Sequence, residues 1–304
     1  MNLLITGGLG HIGTFLLTNS HKFTKLKKIY VIDKLNERIL NLINLKIKKK
    51  IYFISQDLSR EKINISKKIK VDFLIHLASI TDATASLKNK KEVYRNNLNC
   101  FYNVLNFCET RKVKLIHISS TSVYGSQDLY VDENCKVLKP QSPYAEVKIK
   151  EEQILKRKNK KIQFITLRFG TIVGPSSGMR FHTAVNKFCM QAYTNTPLNV
   201  WRTALHQFRP YLSLKDSFKT FDFVIKHKIF DRQIYNVVSE NLTVNDIIKR
   251  INKHKKTTIK LVNEKIMNQL SYKVKSVKIK KHGLKLKSKI YNDIAETFKL
   301  LNKR

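Results

Sequence analysis

A glycine turn near the start of the chain constrains the fold more than any other feature. The apolar run Asn2-Leu3-Leu4-Ile5-Thr6 leads straight into Gly7-Gly8-Leu9-Gly10-His11-Ile12-Gly13. A strand that ends in spaced glycines and opens a helix is the turn of a dinucleotide-binding βαβ unit. In that turn Gly7 permits the tight reversal, Gly10 lets a pyrophosphate approach backbone amides, and Gly13 lets the helix pack closely on the strand. The helix N-terminus then presents its partial positive charge to the phosphates. Asp33 closes the next apolar run about 20 residues on, where a carboxylate holds ribose hydroxyls and repels a 2′-phosphate. Lys34 beside it softens that repulsion. Strand, turn, helix and acid together favour bound NAD over a glycine turn without a ligand. Gly7, Gly10, His11, Ile12, Gly13 and Asp33 are its candidate binding residues.

Beyond the turn, short apolar runs alternate with helical patterns. Candidate strands are Leu3–Thr6, Ile29–Ile32, Ile51–Ile54, Phe73–Leu77, Leu115–Ser119 and Phe164–Leu167. The clearest helices are Lys91–Cys108 and Tyr144–Arg157. Strands that are apolar at nearly every position are expected where helices cover both faces of a parallel sheet. The second half is less regular, with a helix after Met179, strands near Leu198–Trp201 and Ile234–Val238, and a final helix near Tyr291–Leu301. The chain therefore reads as α/β: a Rossmann-type doubly wound parallel sheet with a smaller, interleaved C-terminal α/β substrate lid. Residues 1–170 are expected to form the nucleotide-binding part and residues 171–304 the substrate-binding part. A segment near 205–240 is expected to return to the first.

Composition narrows the function classes. Hydrophobic residues make up 42% of the 304, and no stretch approaches the roughly 20 apolar residues of a membrane span. Neither a signal peptide nor an amphipathic anchor is evident, so a cytoplasmic location without membrane insertion is expected. The four cysteines, Cys100, Cys108, Cys135 and Cys189, are far apart and suggest reduced thiols rather than a disulfide framework or a metal site. The 59 Lys and Arg against 22 Asp and Glu give a net charge of +37. The lysines are scattered along the whole chain, and only 12 of the 59 are the better phosphate binder arginine. That spread points to compositional bias, with nonspecific attraction to RNA at low salt but no specific nucleic-acid partner.

The chemistry concentrates between residues 118 and 148. Ile118-Ser119-Ser120-Thr121-Ser122-Val123-Tyr124-Gly125 ends the fifth strand, and Pro143-Tyr144-Ala145-Glu146-Val147-Lys148 starts a helix. Tyr144 and Lys148 are four apart and share one helical face. A free phenol ionises near pH ~10, and lowering it by three units takes about 4 kcal/mol. A lysine ammonium one turn away, with a positive nicotinamide ring, can supply that in a site closed to water. The phenolate can then take a proton from a sugar hydroxyl.

These motifs resemble those of extended short-chain dehydrogenases, the NAD-dependent epimerase/dehydratase family. The turn Thr6–Gly13 is similar to the family's TGxxGxxG. Gln56-Asp57-Leu58 resembles its aspartate that meets the adenine amino group, and His76-Leu77-Ala78 its HLA beneath the cofactor. Asn97 sits where the family keeps an asparagine in the next helix, with a helix-capping or surface role as the competing reading. The resemblance implies that Asp57, Leu58, Leu77, Ala78, Asn97, Tyr144 and Lys148 contact NAD. It also implies that Ser120 steadies the substrate oxygen against Tyr144. Leu167-Arg168-Phe169-Gly170-Thr171-Ile172-Val173-Gly174-Pro175 resembles LRxxNxxGP, with Thr171 in place of Asn. In Arg209-Pro210-Tyr211-Leu212-Ser213-Leu214-Lys215-Asp216 the match makes Arg209 the clamp of a substrate diphosphate, against the alternative of a surface pair with Asp216. Met179, Arg180 and His182 follow the GP loop and are expected to line the sugar pocket, where Thr121 and Thr171 also belong. For His182 an ordinary core or surface role is the competing reading, and for Tyr124 a structural or sugar-lining one is expected.

The resemblance makes the substrate a nucleotide-diphosphate sugar and the assembly a homodimer through the helices at 91–108 and 144–157. Members that eliminate water usually carry Asp-Glu, or at least Glu, before the VYG. This chain has Thr121-Ser122, which disfavours a 4,6-dehydratase. Epimerisation through transient C4 oxidation needs only Ser120, Tyr144 and Lys148 and stands first. A net reductase or dehydrogenase needs the same three. A noncatalytic NAD-binding RNA-associated protein and a lipid-docking structural protein are the readings from other classes.

Overall fold

The apolar runs pair with one another because helices on both sides can bury them. The computed structural model describes residues 1–34, 39–43, 45, 50–128, 130–158, 160–263 and 271–302. The first half runs β1 (Asn2–Thr6), α1 (His11–Thr18), β2 (Lys28–Asp33), α2 (Leu40–Ile43), β3 (Ile51–Ser55), β4 (Phe73–His76), α3 (Ala83–Lys88), α4 (Lys90–Arg111), β5 (Lys114–Ser120), β6 (Tyr130–Val131), α5 (Pro143–Arg157) and β7 (Phe164–Phe169). The second half continues with β8 (Thr171–Val173), α6 (Ala184–Tyr193), β9 (Leu198–Trp201), β10 (Phe208–Ser213), α7 (Leu214–His227), β11 (Ile234–Val237), β12 (Glu240–Thr243), α8 (Val244–Asn252), β13 (Ile259–Val262), β14 (Lys273–Val274), α9 (Val277–Lys281) and α10 (Ile290–Leu301).

A seven-stranded parallel sheet has the order β11-β7-β5-β4-β1-β2-β3. Strand order reverses between β1 and β4, and a switch point of that kind leaves a crevice at the carboxyl ends of the strands. β1 shows why each position must be apolar: Leu3 and Ile5 enter the core on one face of the sheet, and Leu4 enters the other. Leu16 and Leu17 of α1 with Phe221 and Val224 of α7 close the first face. Phe101, Val104 and Leu105 of α4 with Leu155 of α5 close the second. The α5 start is fixed locally, since the Ser142 side chain accepts from Ala145 N at 3.2 Å and Pro143 occupies the first turn. That cap sets Tyr144 in the first turn of α5, where it lines the crevice.

A second core packs α6, α8 and α10 around the small sheet β12-β10-β8, with Phe188, Leu198, Tyr211, Ile247 and Ile294 at its centre. The segment after β8 is fastened to the glycine turn. His11 Nε2 donates to Gly174 O at 2.7 Å, Ser176 Oγ donates to His11 O at 2.9 Å, and Gly178 N donates to Thr14 Oγ1 at 3.0 Å. No described helix is long and apolar enough to cross a membrane.

Candidate active site

Two adjoining cavities open along the crevice. The first, of about 430 Å³, is lined by Gly7, Asp33, Lys34, Asp57, Leu58 and Ala78, among others. Gly7 has φ +70°, and a Cβ there would stand 2.5 Å from Ala78 N, so the turn can press against the end of β4 only as glycine. Asp33 shapes that turn as well as facing the cavity: its Oδ2 accepts from Leu9 N at 2.9 Å. Asp57 is oriented by its own loop, accepting from Ser59 N at 2.9 Å and Ser59 Oγ at 2.7 Å.

Asn97 is fully buried and bonds both backbone groups of Ile80, accepting from N at 2.7 Å and donating to O at 3.0 Å. It clamps the loop after β4 and reaches the cavity only through that loop, while Asn96 lines the cavity itself. Met179, expected beside the sugar, lies instead in this first cavity. The tether at residues 174–178 brings the chain back over the glycine turn before it reaches Tyr144.

The second cavity, of about 540 Å³, is lined by Gly10, His11, Ile12, Gly13, Leu77, Ser120, Thr121, Tyr144, Lys148, Thr171, Arg180 and Arg209. It shares Gly7, Ser79, Thr81, Asp82, Arg180 and His182 with the first, so the two form one cleft. His11 is kept neutral, since burial lowers it to about 4. Arg180 bonds Thr81, and its charge reaches both His11 and Tyr144. Arg209 is half-buried beside Tyr211 and Tyr272, and its desolvation favours an anionic ligand. It does not pair with Asp216, which accepts from Ser239 Oγ at 2.7 Å and Ser288 Oγ at 2.8 Å. Tyr124 is buried, its hydroxyl 2.9 Å from Asn236 Oδ1 and 3.0 Å from Asp132 O, a structural role. Lys187, Trp201 and Tyr272 also line the cavity and carry no readable sequence signal.

At its floor Ser120 and Tyr144 line the cavity together, and Lys148 Nζ lies 5.7 Å from the centre of the tyrosine ring. From its spacing alone, Lys148 is expected to pull the phenol down. Instead burial pushes it up, and Lys148 and Arg180 only partly offset this. Glu151 adds to the effect of burial: its Oε2 accepts from Lys148 Nζ at 2.8 Å, and its negative charge opposes ionisation of the phenol. Burial alone would lower the Lys148 ammonium, but Glu151 outweighs it and holds it up. His117 Nε2 lies 2.9 Å from the same Glu151 Oε2. Glu151 was within reach of sequence reasoning, being three residues beyond Lys148 on the same helical face. His117 was not, because its placement depends on strand register.

Residues 3–237 match the sequence pattern of the NAD dependent epimerase/dehydratase family. The chain belongs to that family. Within the family, this enzyme is 29% identical over 272 residues to a dTDP-D-glucose 4,6-dehydratase of Dictyostelium discoideum, a match covering 82% of this chain and 61% of that protein. The family member described here thus spans less than two thirds of that relative's length. Its fold is that of a UDP-glucuronic acid 4-epimerase from Bacillus cereus, with a TM-score of 0.89 at 23% identity, covering 100% of this chain and 99% of the other. A UDP-N-acetylglucosamine 4-epimerase from Methanobrevibacter ruminantium gives a TM-score of 0.85 at 22% identity, covering 98% and 97%.

Proposed function

We propose that the chain is an NAD-dependent 4-epimerase of a nucleotide-diphosphate sugar. The observation that carries this reading is the convergence of Ser120, Tyr144 and Lys148 at the floor of a cleft that runs on to Asp33. The cleft fits the cofactor: the glycine turn, pressed against Ala78, leaves a cradle of backbone between the two cavities. Asp33, Asp57, Leu58 and Ala78 would hold the adenosine end, and Leu77, Tyr144 and Lys148 the nicotinamide end. Bound NAD supplies a reversible two-electron acceptor for the sugar carbon.

The protein's own groups do the rest. Tyr144 takes the proton of the C4 hydroxyl and returns it to the ketone oxygen once the sugar has turned. Ser120 holds that oxygen, and Lys148 supplies the positive charge that brings the phenolate within reach. Arg209 and Arg180 would meet the diphosphate through charge-assisted bonds, and Thr121 and Thr171 lie beside the sugar. Thr121 Oγ1 is 3.3 Å from both Phe169 O and Tyr272 OH, and Ser122 Oγ is 2.8 Å from Ser120 Oγ. Hydroxyls stand where water elimination uses a carboxylic acid, which supports epimerisation, although four of the relatives in sequence carry a 4,6-dehydratase activity. The cleft's Asp82 lies at the junction with the first cavity. The helices α4 and α5 lie side by side with Tyr102 half exposed, and pairing with the same helices of a second copy would make a homodimer.

The test is product analysis with NAD and a panel of UDP-, GDP-, CDP- and dTDP-sugars. A product of unchanged mass and inverted C4 is expected, and Tyr144→Phe should slow its formation by about 10²–10⁴-fold. Loss of two hydrogens would make the enzyme a dehydrogenase. Loss of water would overturn the argument from Thr121 and Ser122.

A further inference from the structure

Behind Tyr144 lies a charged cluster of which the proposed chemistry uses only Lys148. Lys148 and Glu151 form an ion pair at 2.8 Å with side chains 2% and 1% exposed. His117 Nε2 holds the same carboxylate oxygen at 2.9 Å, and its Nδ1 is 3.3 Å from Thr166 Oγ1. The register of β4 against β5 sets His76 beside His117, and Phe101 packs on both rings. Glu151 Oε1 and His76 Nε2 are buried without a hydrogen-bond partner.

Such a cluster is a poor device for stability. Buried pairs roughly break even against apolar replacements, and orphaned polar atoms cost free energy. Its position explains it better. A lone lysine presents a full positive charge to a neighbouring phenol, whereas a lysine paired at 2.8 Å presents a dipole whose field falls off faster. Resting on the reading of Tyr144 as the base, we propose that Glu151 is a positioning residue that holds Lys148 from behind and offsets part of its charge, so that Tyr144 ionises less readily before the cofactor binds. His117 fixes the carboxylate in place. The charged and titratable groups facing this unit are Tyr144, Lys148 and Glu152 on α5, His117 on β5, His76 on β4, Cys100 on α4, and Arg180 from the segment after β8.

Ultraviolet titration of the protein without cofactor reads phenolate formation, and subtraction of Tyr144→Phe isolates the Tyr144 signal. Glu151→Gln is expected to move its midpoint toward acid by about one pH unit, and Glu151→Asp to restore the wild-type midpoint. An unmoved midpoint in Glu151→Gln overturns the proposal. If that variant does not fold, the uncharged double variant Lys148→Met/Glu151→Gln decides. A midpoint that rises by less than about one pH unit means that Glu151 offsets much of the lysine's charge; a rise of about one pH unit or more means that Lys148 acts alone and sinks the idea. The acid limb of kcat/KM should shift with the phenolate signal. A dead Tyr144→Phe beside an unshifted Glu151→Gln would reject the inference and leave the epimerase standing. A shifted phenolate in a protein with no turnover would do the reverse.

Discussion

Replacing Glu152, the neighbour of Glu151, should have a structural effect of calculable size. Its Oε1 accepts from Arg168 Nε at 2.9 Å and from Ser119 Oγ at 2.6 Å, and its Oε2 from Arg168 NH2 at 2.6 Å. The two charged side chains are 6% and 5% exposed, and the guanidinium lies 4.9 Å from the centre of the Tyr124 ring. Glu152→Ala strands that guanidinium in the interior, which costs about 3–5 kcal/mol. At roughly 2–4 °C per kcal/mol for a large domain, the Tm should fall by about 6–20 °C. The double variant Glu152→Ala/Arg168→Met removes both charges and should recover most of the loss. Urea unfolding followed by circular dichroism, with the four variants of the cycle, measures the coupling, and unchanged m-values would show that only stability moved. A single-variant loss below about 1 kcal/mol would mean the pair behaves like a surface pair. A double variant as unstable as the single would place the cost in lost packing instead.

Other expectations concern charge. Burial pushes the Asp293 carboxyl up to about 7. The folded state therefore binds a proton that the unfolded chain releases near pH ~4, so this group's contribution is full below that pH and is lost as pH rises toward about 7. Asp293→Asn should flatten the decline, stabilising the protein near pH ~8 relative to wild type by on the order of 3 kcal/mol; a variant with wild-type pH dependence in denaturant titrations would contradict this. Asp33→Ser removes the charge facing the ribose, and the ratio of affinities should move toward the 2′-phosphorylated cofactor by roughly 10-fold or more; fluorescence titration with both cofactors reads it. Arg209→Ala should raise KM for the nucleotide sugar by about 10–100-fold with a smaller change in kcat, as expected for a charge-assisted contact with the diphosphate. Equal KM values would remove Arg209 from the substrate site.

The sheet was legible because its strands are short, apolar and bounded by glycines or helical patterns. Ile51–Ile54 extends by one residue to Ser55, and Leu198–Trp201 keeps its bounds. The small sheet was harder: β8 and β12 have three and four residues, too few for a period to emerge. The residues at the cleft floor were legible where chemistry is local in sequence, as with Tyr144 and Lys148. The counter-charge was missed because its weight comes from burial, and its second partner, His117, arrives from another strand. Asn97, at a cofactor-facing motif position, bonds both backbone groups of Ile80, a contact across 17 residues that no local pattern in the sequence announces.

The stitching of Gly174, Ser176 and Gly178 to His11 and Thr14 limits how such a chain can be rearranged. The arm that delivers Arg180 and His182 leaves from a backbone anchored on the first turn of the molecule, and a Cβ at Gly178 would stand 2.6 Å from Gly10 O. A crossover near residue 170 would give a hybrid whose halves lack each other's anchor points. Exchange of specificity between relatives by recombination must carry residues 10–14 along with the arm, or begin beyond it in α6. Two stretches 163 residues apart in sequence therefore have to be exchanged together.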